Sequence, residues 1–222
     1  MENNQKKAFL EYEADLWFKR NKEALENYKV EDDIVYNLLD KYKILPEKIL
    51  EIGCSSGHRL NGLKGLFPYA GVYGIDPSNN AIAYGKELYP HVHFDRATAD
   101  NLPYPAKHFD LVIMGFVFYV VDRELLLASV SEIDRVLSDK GFLLIIDFFS
   151  ERALKNEYAH ISEFKAYSFK QKYESIFTES HLYQLMDKSS VNHTTKKPDV
   201  LSDFYDLMSV TLLKKDIYAP YK

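Results

Sequence analysis

Gly53 and Gly57 close a tight turn directly after an apolar run formed by Ile49, Leu50 and Ile52. Asp76 ends the next apolar run, about twenty residues beyond those glycines. Glycines in such a turn let the backbone bend sharply and approach a ligand closely. A carboxylate at the end of the following strand can accept from two ribose hydroxyls. The spacing therefore points to a nucleoside-bearing ligand. A dinucleotide fits less well, because its pyrophosphate wants a further glycine where Ser55 stands. His91 and His93 alternate along an extended run and could share one side. No third ligand is evident near them, so no metal site is expected.

The elements that must hold these residues follow from periodicity. Residues 48–52 read as a buried strand, and residues 58–67 as a helix with Leu60, Leu63 and Phe67 apolar, stopped by Pro68. Strands are expected at 72–75, 91–94, 110–115 and 142–146, with helices at 81–88 and 124–137 between them. Such alternation predicts an open α/β fold with a largely parallel sheet. Upstream, residues 8–28 and 34–42 read as helices, the first with a stripe of Phe9, Tyr12, Leu16 and Phe18. Residues 151–178 are rich in tyrosine, lysine and glutamate without a clean period. Late strands are expected near 181–186 and 207–213, with a polar loop or flap at 187–202 between them.

Composition narrows the class. The chain has 222 residues, 46% hydrophobic and 27% charged, which suits one soluble α/β domain with a modest extension. A net charge of −5 argues against nucleic acid as a general partner. The single cysteine, Cys54, excludes an intramolecular disulfide framework and fits a reducing compartment. The opening Met1-Glu2-Asn3-Asn4-Gln5 lacks the apolar core of a signal peptide, and the longest apolar run, 111–121, is too short for a membrane span. A cytoplasmic protein with no membrane partner is expected.

Four ordered segments resemble the class I S-adenosylmethionine-dependent methyltransferases. Glu51-Ile52-Gly53-Cys54-Ser55-Ser56-Gly57 is similar to their first motif and Tyr73-Gly74-Ile75-Asp76-Pro77-Ser78 to their second. Ala97-Thr98-Ala99-Asp100-Asn101-Leu102-Pro103, followed by Phe109-Asp110-Leu111-Val112, resembles their adenine loop and fourth strand. Arg135-Val136-Leu137-Ser138-Asp139-Lys140-Gly141 resembles the turn into their fifth. The resemblance covers residues 48–148 and implies a Rossmann-like seven-stranded, mostly parallel sheet with helices on both faces and a C-terminal antiparallel pair. It implies S-adenosylmethionine as cofactor. Gly53, Cys54 and Gly57 would line its amino-acid end, with Glu51 near the amine. Asp76 would take the ribose, Ala99 would offer its N–H to adenine with Thr98 assisting, and Pro77 and Gly115 would complete the site. The family often has glycine at Ser55 and aspartate at Thr98, and Asp139-Lys140-Gly141 replaces its usual proline-glycine turn. The departure at Thr98 weakens the expected carboxylate contact to the adenine amino group. Residues 1–46 are expected as a helical cap, and 47–222 as the cofactor-binding domain with an acceptor-site insertion at about 151–202.

Methyl transfer from a sulfonium releases a neutral thioether, so only the acceptor needs proton chemistry, and positioning can supply most of the rate. A general base belongs near the carboxyl ends of the fourth and fifth strands. Tyr119, Asp147 and His160 are the catalytic candidates, with Asp122 also in range. Phe118 reads as core, His58 as a surface residue, and Cys54 is not needed as a nucleophile. Trp17-Phe18-Lys19-Arg20-Asn21 and residues 166–177 resemble segments of methylases associated with bacterial surface-sugar (pseudaminic acid) biosynthesis. That makes a small-molecule acceptor, first a sugar or nucleotide-sugar hydroxyl, the expectation. An inactive S-adenosylmethionine-binding module and a protein or RNA methyltransferase are the alternatives.

Overall fold

The computed structural model describes residues 4–161, 165–195, 197–198 and 206–221. In chain order the elements are α1 (Asn4–Ala8), a π turn (Phe9–Glu13), α2 (Ala14–Glu26), α3 (Ile34–Lys41), β1 (Lys48–Ile52), α4 (His58–Leu66), β2 (Gly71–Asp76), α5 (Asn79–Leu88), β3 (His93–Arg96) and β4 (Phe109–Gly115). There follow α6 (Leu126–Val136), β5 (Leu137–Phe148), β6 (Leu154–Glu157), β7 (Tyr167–Lys170), α7 (Tyr173–Thr178), β8 (Tyr183–Asn192) and β9 (Leu207–Lys215).

Seven strands form one sheet in the order β3-β2-β1-β4-β5-β9-β8. The first five pair in parallel, and β9 joins β5 and β8 antiparallel. The strands are buried on both faces, and their side chains divide between two cores as the two-residue period requires. Ile49, Leu111, Ile113 and Leu144 meet Leu39 of α3, Leu60 of α4 and Ile82 of α5. Leu50, Val112, Met114 and Leu143 meet Ile133 of α6 and Phe177 of α7. The chain steps outward from β1 to β3 and then returns to β4. The crevice outside the carboxyl ends of β1 and β4 is therefore the switch point where ligands bind in open α/β sheets.

Several boundaries differ from the sequence expectation. The third strand is shifted to His93–Arg96, so His91 precedes it. The helix at 124–137 begins at Leu126, and the fifth strand starts as early as Leu137, turning through Lys140 at φ 66°. The largest difference is in the expected loop at 187–202. Asp187 to Asn192 continue β8 and pair with β9 past a register shift between Leu185 and Asp187. Residues 196 and 199–202 of that loop, and 1–3 of the expected cap, lie outside the described residues.

The N-terminal helix carries a second correction. Within it the Ala14 N–H reaches back to Phe9 O, which makes one wide turn. The extra residue rotates everything downstream by about 100°. Glu13 and Phe18 turn inward, at 1% and 7% exposed, while Tyr12 and Leu16 of the expected apolar stripe are 40% and 47% exposed.

This helix and the 151–178 region meet over the end of β4. The Gln5 amide donates to Val120 O at 2.8 Å and Tyr167 O at 3.0 Å, and accepts from the Tyr167 N–H. The Phe169 N–H donates to Tyr119 O at 2.7 Å. The Arg123 guanidinium, 4.1 Å from the Phe169 ring centroid, lies against the same hairpin of β6 and β7.

Candidate active site

The glycine turn is fixed by backbone bonds across the sheet: the N–H groups of Gly53 and Cys54 both donate to Ile75 O, at 2.9 and 3.0 Å. Gly53 and Gly57 have φ of 78° and 75°, where a side chain is strained. A Cβ at Gly53 would also lie 2.4 Å from Val117 Cγ2, and one at Gly57 2.4 Å from the Phe94 ring. The Cys54 side chain packs on Gly74 and is 2% exposed. Burial raises its pKa, which keeps the thiol protonated and unreactive.

The Asp76 carboxylate stands at the end of β2 and ties the two loops together. Its Oδ2 accepts from the Ser55 N–H at 2.9 Å and its Oδ1 from the Ser78 N–H at 2.8 Å. Burial pushes its pKa up to about 6, against those two bonds. Ser78 caps α5 through the Ala81 N–H and donates its hydroxyl to Asp15 at 2.5 Å, so the N-terminal helix is pinned directly over this turn.

A cleft opens here, at the carboxyl ends of the central strands. Gly53, Pro77, Thr98 and Ala99 line it, together with Ile52, Ile75, Val117 and Leu125. Lys6, Phe9 and Leu10 close it from the N-terminal helix, and Lys6 Nζ is 2.6 Å from Asp100 Oδ2. Glu51, Cys54, Gly57, Asp76 and Gly115 are not among the residues that line it. Gly115 leaves room for Arg59, whose Nη1 would be 3.4 Å from a Cβ there.

Glu51, 2% exposed, belongs to a buried charge network. Its Oε1 accepts from Arg59, whose Nε donates to Asp33 Oδ2 at 2.8 Å. Asp33 in turn caps α3 through the Val35 N–H at 2.7 Å. Burial lifts the Glu51 pKa to about 7 against the pull of Arg59. For Asp33 the burial penalty is outweighed by Arg59 and by hydrogen bonds, which hold it below its ordinary value. Glu51 Oε2 is buried with no hydrogen-bond partner. A buried acceptor without a donor is rare and marks a place for one. At the end of β1, beside the glycine turn, it fits the ammonium of an amino acid. His58, expected at the surface, is instead packed edge-on to Tyr28 at 4.8 Å. Burial, reinforced by Arg59, lowers its pKa to about 4.

Of the three catalytic candidates, Tyr119 and His160 each pack against the Tyr158 ring, and Asp147 meets Tyr119 through the Tyr119 backbone N–H. Tyr119 follows β4; its ring is 5.0 Å from Phe148 and 6.4 Å from Tyr158, and its hydroxyl lies beside that of Tyr158. Asp147 is 1% exposed, and its oxygens accept from the N–H groups of Phe148 at 2.8 Å and Tyr119 at 3.3 Å. Those bonds fix the turn after β4, while burial pushes the carboxyl up to about 7. His160 is exposed, with its ring 5.4 Å from Tyr158. Asp122 lines the cleft itself. Phe118 is fully buried and stacked on Tyr173, as expected of core.

Two further clusters escaped the sequence reading. The Tyr158 hydroxyl donates to Glu13 at 2.7 Å, and Arg20 binds the same carboxylate. Phe116, at φ 55°, holds its ring 5.4 Å from both Phe148 and His193. Together with Tyr119 these rings form an aromatic rim at the carboxyl edge of β4 and β5. Nothing in the local sequence announces that Glu13 faces inward, because the π turn sets its direction. No group of three or more potential metal ligands occurs among the described residues, and no described helix is long and apolar enough to cross a membrane.

The family described as methyltransferase domain matches residues 49–141. A ubiquinone/menaquinone biosynthesis C-methyltransferase of Campylobacter jejuni is 33% identical over 107 residues, 46% of this chain and 44% of that protein. The chain thus spans about half the length of the curated relatives it matches. Among solved structures, a 1,6-didemethyltoxoflavin-N1-methyltransferase of Burkholderia thailandensis, solved with that compound and S-adenosylhomocysteine, superposes at a TM-score of 0.71. It is 11% identical, and the match covers 97% of this chain and 91% of that one. An S-adenosylmethionine-dependent methyltransferase of Methanosarcina mazei superposes at 0.65, with 16% identity over 82% of this chain and 98% of that one. Residues 49–141 thus match a methyltransferase-domain family, and the chain shares the Rossmann-like fold of these solved structures.

Proposed function

We propose that this protein transfers the methyl group of S-adenosylmethionine to a small-molecule acceptor. The observation that carries the reading is the union, at the end of β1 and β2, of the strained glycine turn, the Asp76 carboxylate and the unpartnered Glu51 Oε2. When bound, the cofactor supplies an electrophilic methyl on a sulfonium and leaves as a neutral thioether. The chain's residues do the rest. Asp76 accepts from the ribose hydroxyls, Glu51 faces the ammonium, and the Ala99 N–H meets the adenine ring. Lys6, Phe9 and Leu10 exclude water from the cleft mouth. Proton removal from the acceptor falls to the cluster of Tyr119, Asp147 and His160. Burial keeps Tyr119 protonated, so it orients or relays rather than acting as a phenolate.

The acceptor reading has two forms. A sugar or nucleotide-sugar hydroxyl follows from the resemblance of two short segments. A flat aromatic acceptor is favoured by the rim of Phe116, Tyr119, Phe148 and His193, since such rings stack on planar ligands. The Campylobacter relative, named for quinone methylation, lends support to the second form. In both, the N-terminal helical segment and the region of about 151–202 would build the acceptor side.

The test is transfer of isotope-labelled methyl from S-adenosylmethionine in extracts separated by mass. Label is expected in the small-molecule fraction, with stoichiometric S-adenosylhomocysteine. Label in protein or RNA would replace the acceptor reading. No turnover in any fraction, with cofactor bound, would leave a binding module.

A further inference from the structure

We propose that Asp122 is the carboxylate that recognises the amino group of the cofactor's adenine, a role that Thr98 cannot fill. The proposal rests on the cofactor reading above and adds a residue to it. An adenine buried in a cleft carries two N–H donors on its exocyclic amine, and each needs an acceptor. With the ribose at Asp76 and a ring nitrogen at the Ala99 N–H, that amine would have to find its acceptors among the side chains that line the cleft. The side-chain acceptors lining the cleft are those of Thr98, Asp100 and Asp122. Thr98 offers a hydroxyl, which brings no charge and is as ready to donate as to accept. Asp100 is engaged by Lys6 at 2.6 Å across the cleft mouth.

Asp122 differs from both. It is half-buried in the cleft wall. Its Oδ1 accepts from the Glu124 N–H at 2.9 Å, which fixes the carboxylate plane. No ion pair engages it among the described residues, so Oδ2 retains its acceptor capacity. The segment that carries it is rigidly held: the Leu125 N–H donates to Asp122 O at 2.9 Å. Arg123, next to it, is bonded to the carbonyls of Phe118 and Val121. A carboxylate held in this way prefers a donor, such as the amine of adenine, over the ring carbonyl of hypoxanthine. The bland alternative is that Asp122 only caps the turn into α6.

Calorimetric binding of S-adenosylhomocysteine and its inosine counterpart, S-inosylhomocysteine, separates the two. Asp122→Ser keeps a capping oxygen for the Glu124 N–H and removes the carboxylate from the cleft. The wild type should prefer the adenosine compound by about a hundredfold or more. Asp122→Ser should bind it about ten- to a hundredfold more weakly and narrow the preference to under about tenfold. Asp122→Asn, the closer isostere, should also narrow the preference, because its amide can rotate to donate to the hypoxanthine oxygen. It serves if the serine variant does not fold. Variants that keep both the affinity and the preference of the wild type would overturn the assignment. A folded wild type that binds neither compound would overturn the cofactor reading, and this proposal with it.

Discussion

Asp76→Ala should weaken S-adenosylhomocysteine binding more than about thirtyfold. Two hydrogen bonds to a charged acceptor are lost, together about 2–4 kcal/mol. The carboxylate also bridges the Ser55 and Ser78 N–H groups, so part of its value is holding the two loops at the right separation. Asp76→Asn keeps one acceptor oxygen and should fall between the two. The pH dependence follows from burial, which raises the folded pKa to about 6. The native state then holds this proton more tightly than the unfolded chain. The group's contribution to stability is greatest at low pH and declines as pH rises from the ordinary carboxylate range through about 6. Binding has the opposite sense: ribose hydroxyls need the ionised acceptor, so affinity should fall as pH drops below about 6. Calorimetry between pH 5 and 8 checks both statements, and a flat affinity with an unaffected alanine variant would place the ribose contact elsewhere.

Arg59→Met should destabilise the protein by about 3–5 kcal/mol at neutral pH. The guanidinium lies between Glu51 and Asp33, with side-chain exposures of 2% and 5%, and is itself 17% exposed. Removing it leaves two buried carboxylates facing each other across an apolar side chain. For a chain of this length the loss corresponds to a fall in Tm of roughly 10 °C. Glu51, already raised to about 7, titrates further upward without its partner. Acidification therefore neutralises it and should recover part of the loss, so the gap between variant and wild type narrows from pH 8 to pH 5.5. A second substitution, Glu51→Gln, should restore part of the stability at neutral pH. A loss under about 1 kcal/mol would mean that water reaches the pair and that the network is not buried in solution.

The sheet was legible because its strands obey a strong pattern. Leu111 to Met114 is continuously apolar, as a strand covered on both faces must be, and glycines and prolines punctuate its neighbours. Asp76 and the glycine turn could be located because strand, turn and carboxylate follow one another at a set spacing. The second half of β8 was not legible. Asp187-Lys188-Ser189-Ser190 is polar because it lies in an edge strand with half-exposed side chains, and its pairing comes from β9, some twenty residues later. The inward face of the N-terminal helix was missed for a different reason. A period of 3.6 assigns Tyr12 and Leu16 to the core; the π turn exposes them and brings Glu13 inward, while Phe18 of the same stripe is buried as expected. Buried networks such as Glu13–Tyr158 and Asp33–Arg59–Glu51 join residues far apart in sequence. Their members look locally like ordinary surface charges until the fold brings them together.

The central claim is that the cleft at the ends of β1, β2 and β4 holds S-adenosylmethionine. Isothermal calorimetry of the folded chain with S-adenosylmethionine and with S-adenosylhomocysteine tests it most directly. One site per chain is expected for each ligand, at sub-millimolar affinity. Competition between the two is expected, together with a raised Tm that tracks ligand concentration. A folded protein that takes up neither ligand at sub-millimolar concentration, and whose Tm does not move, would contradict the account.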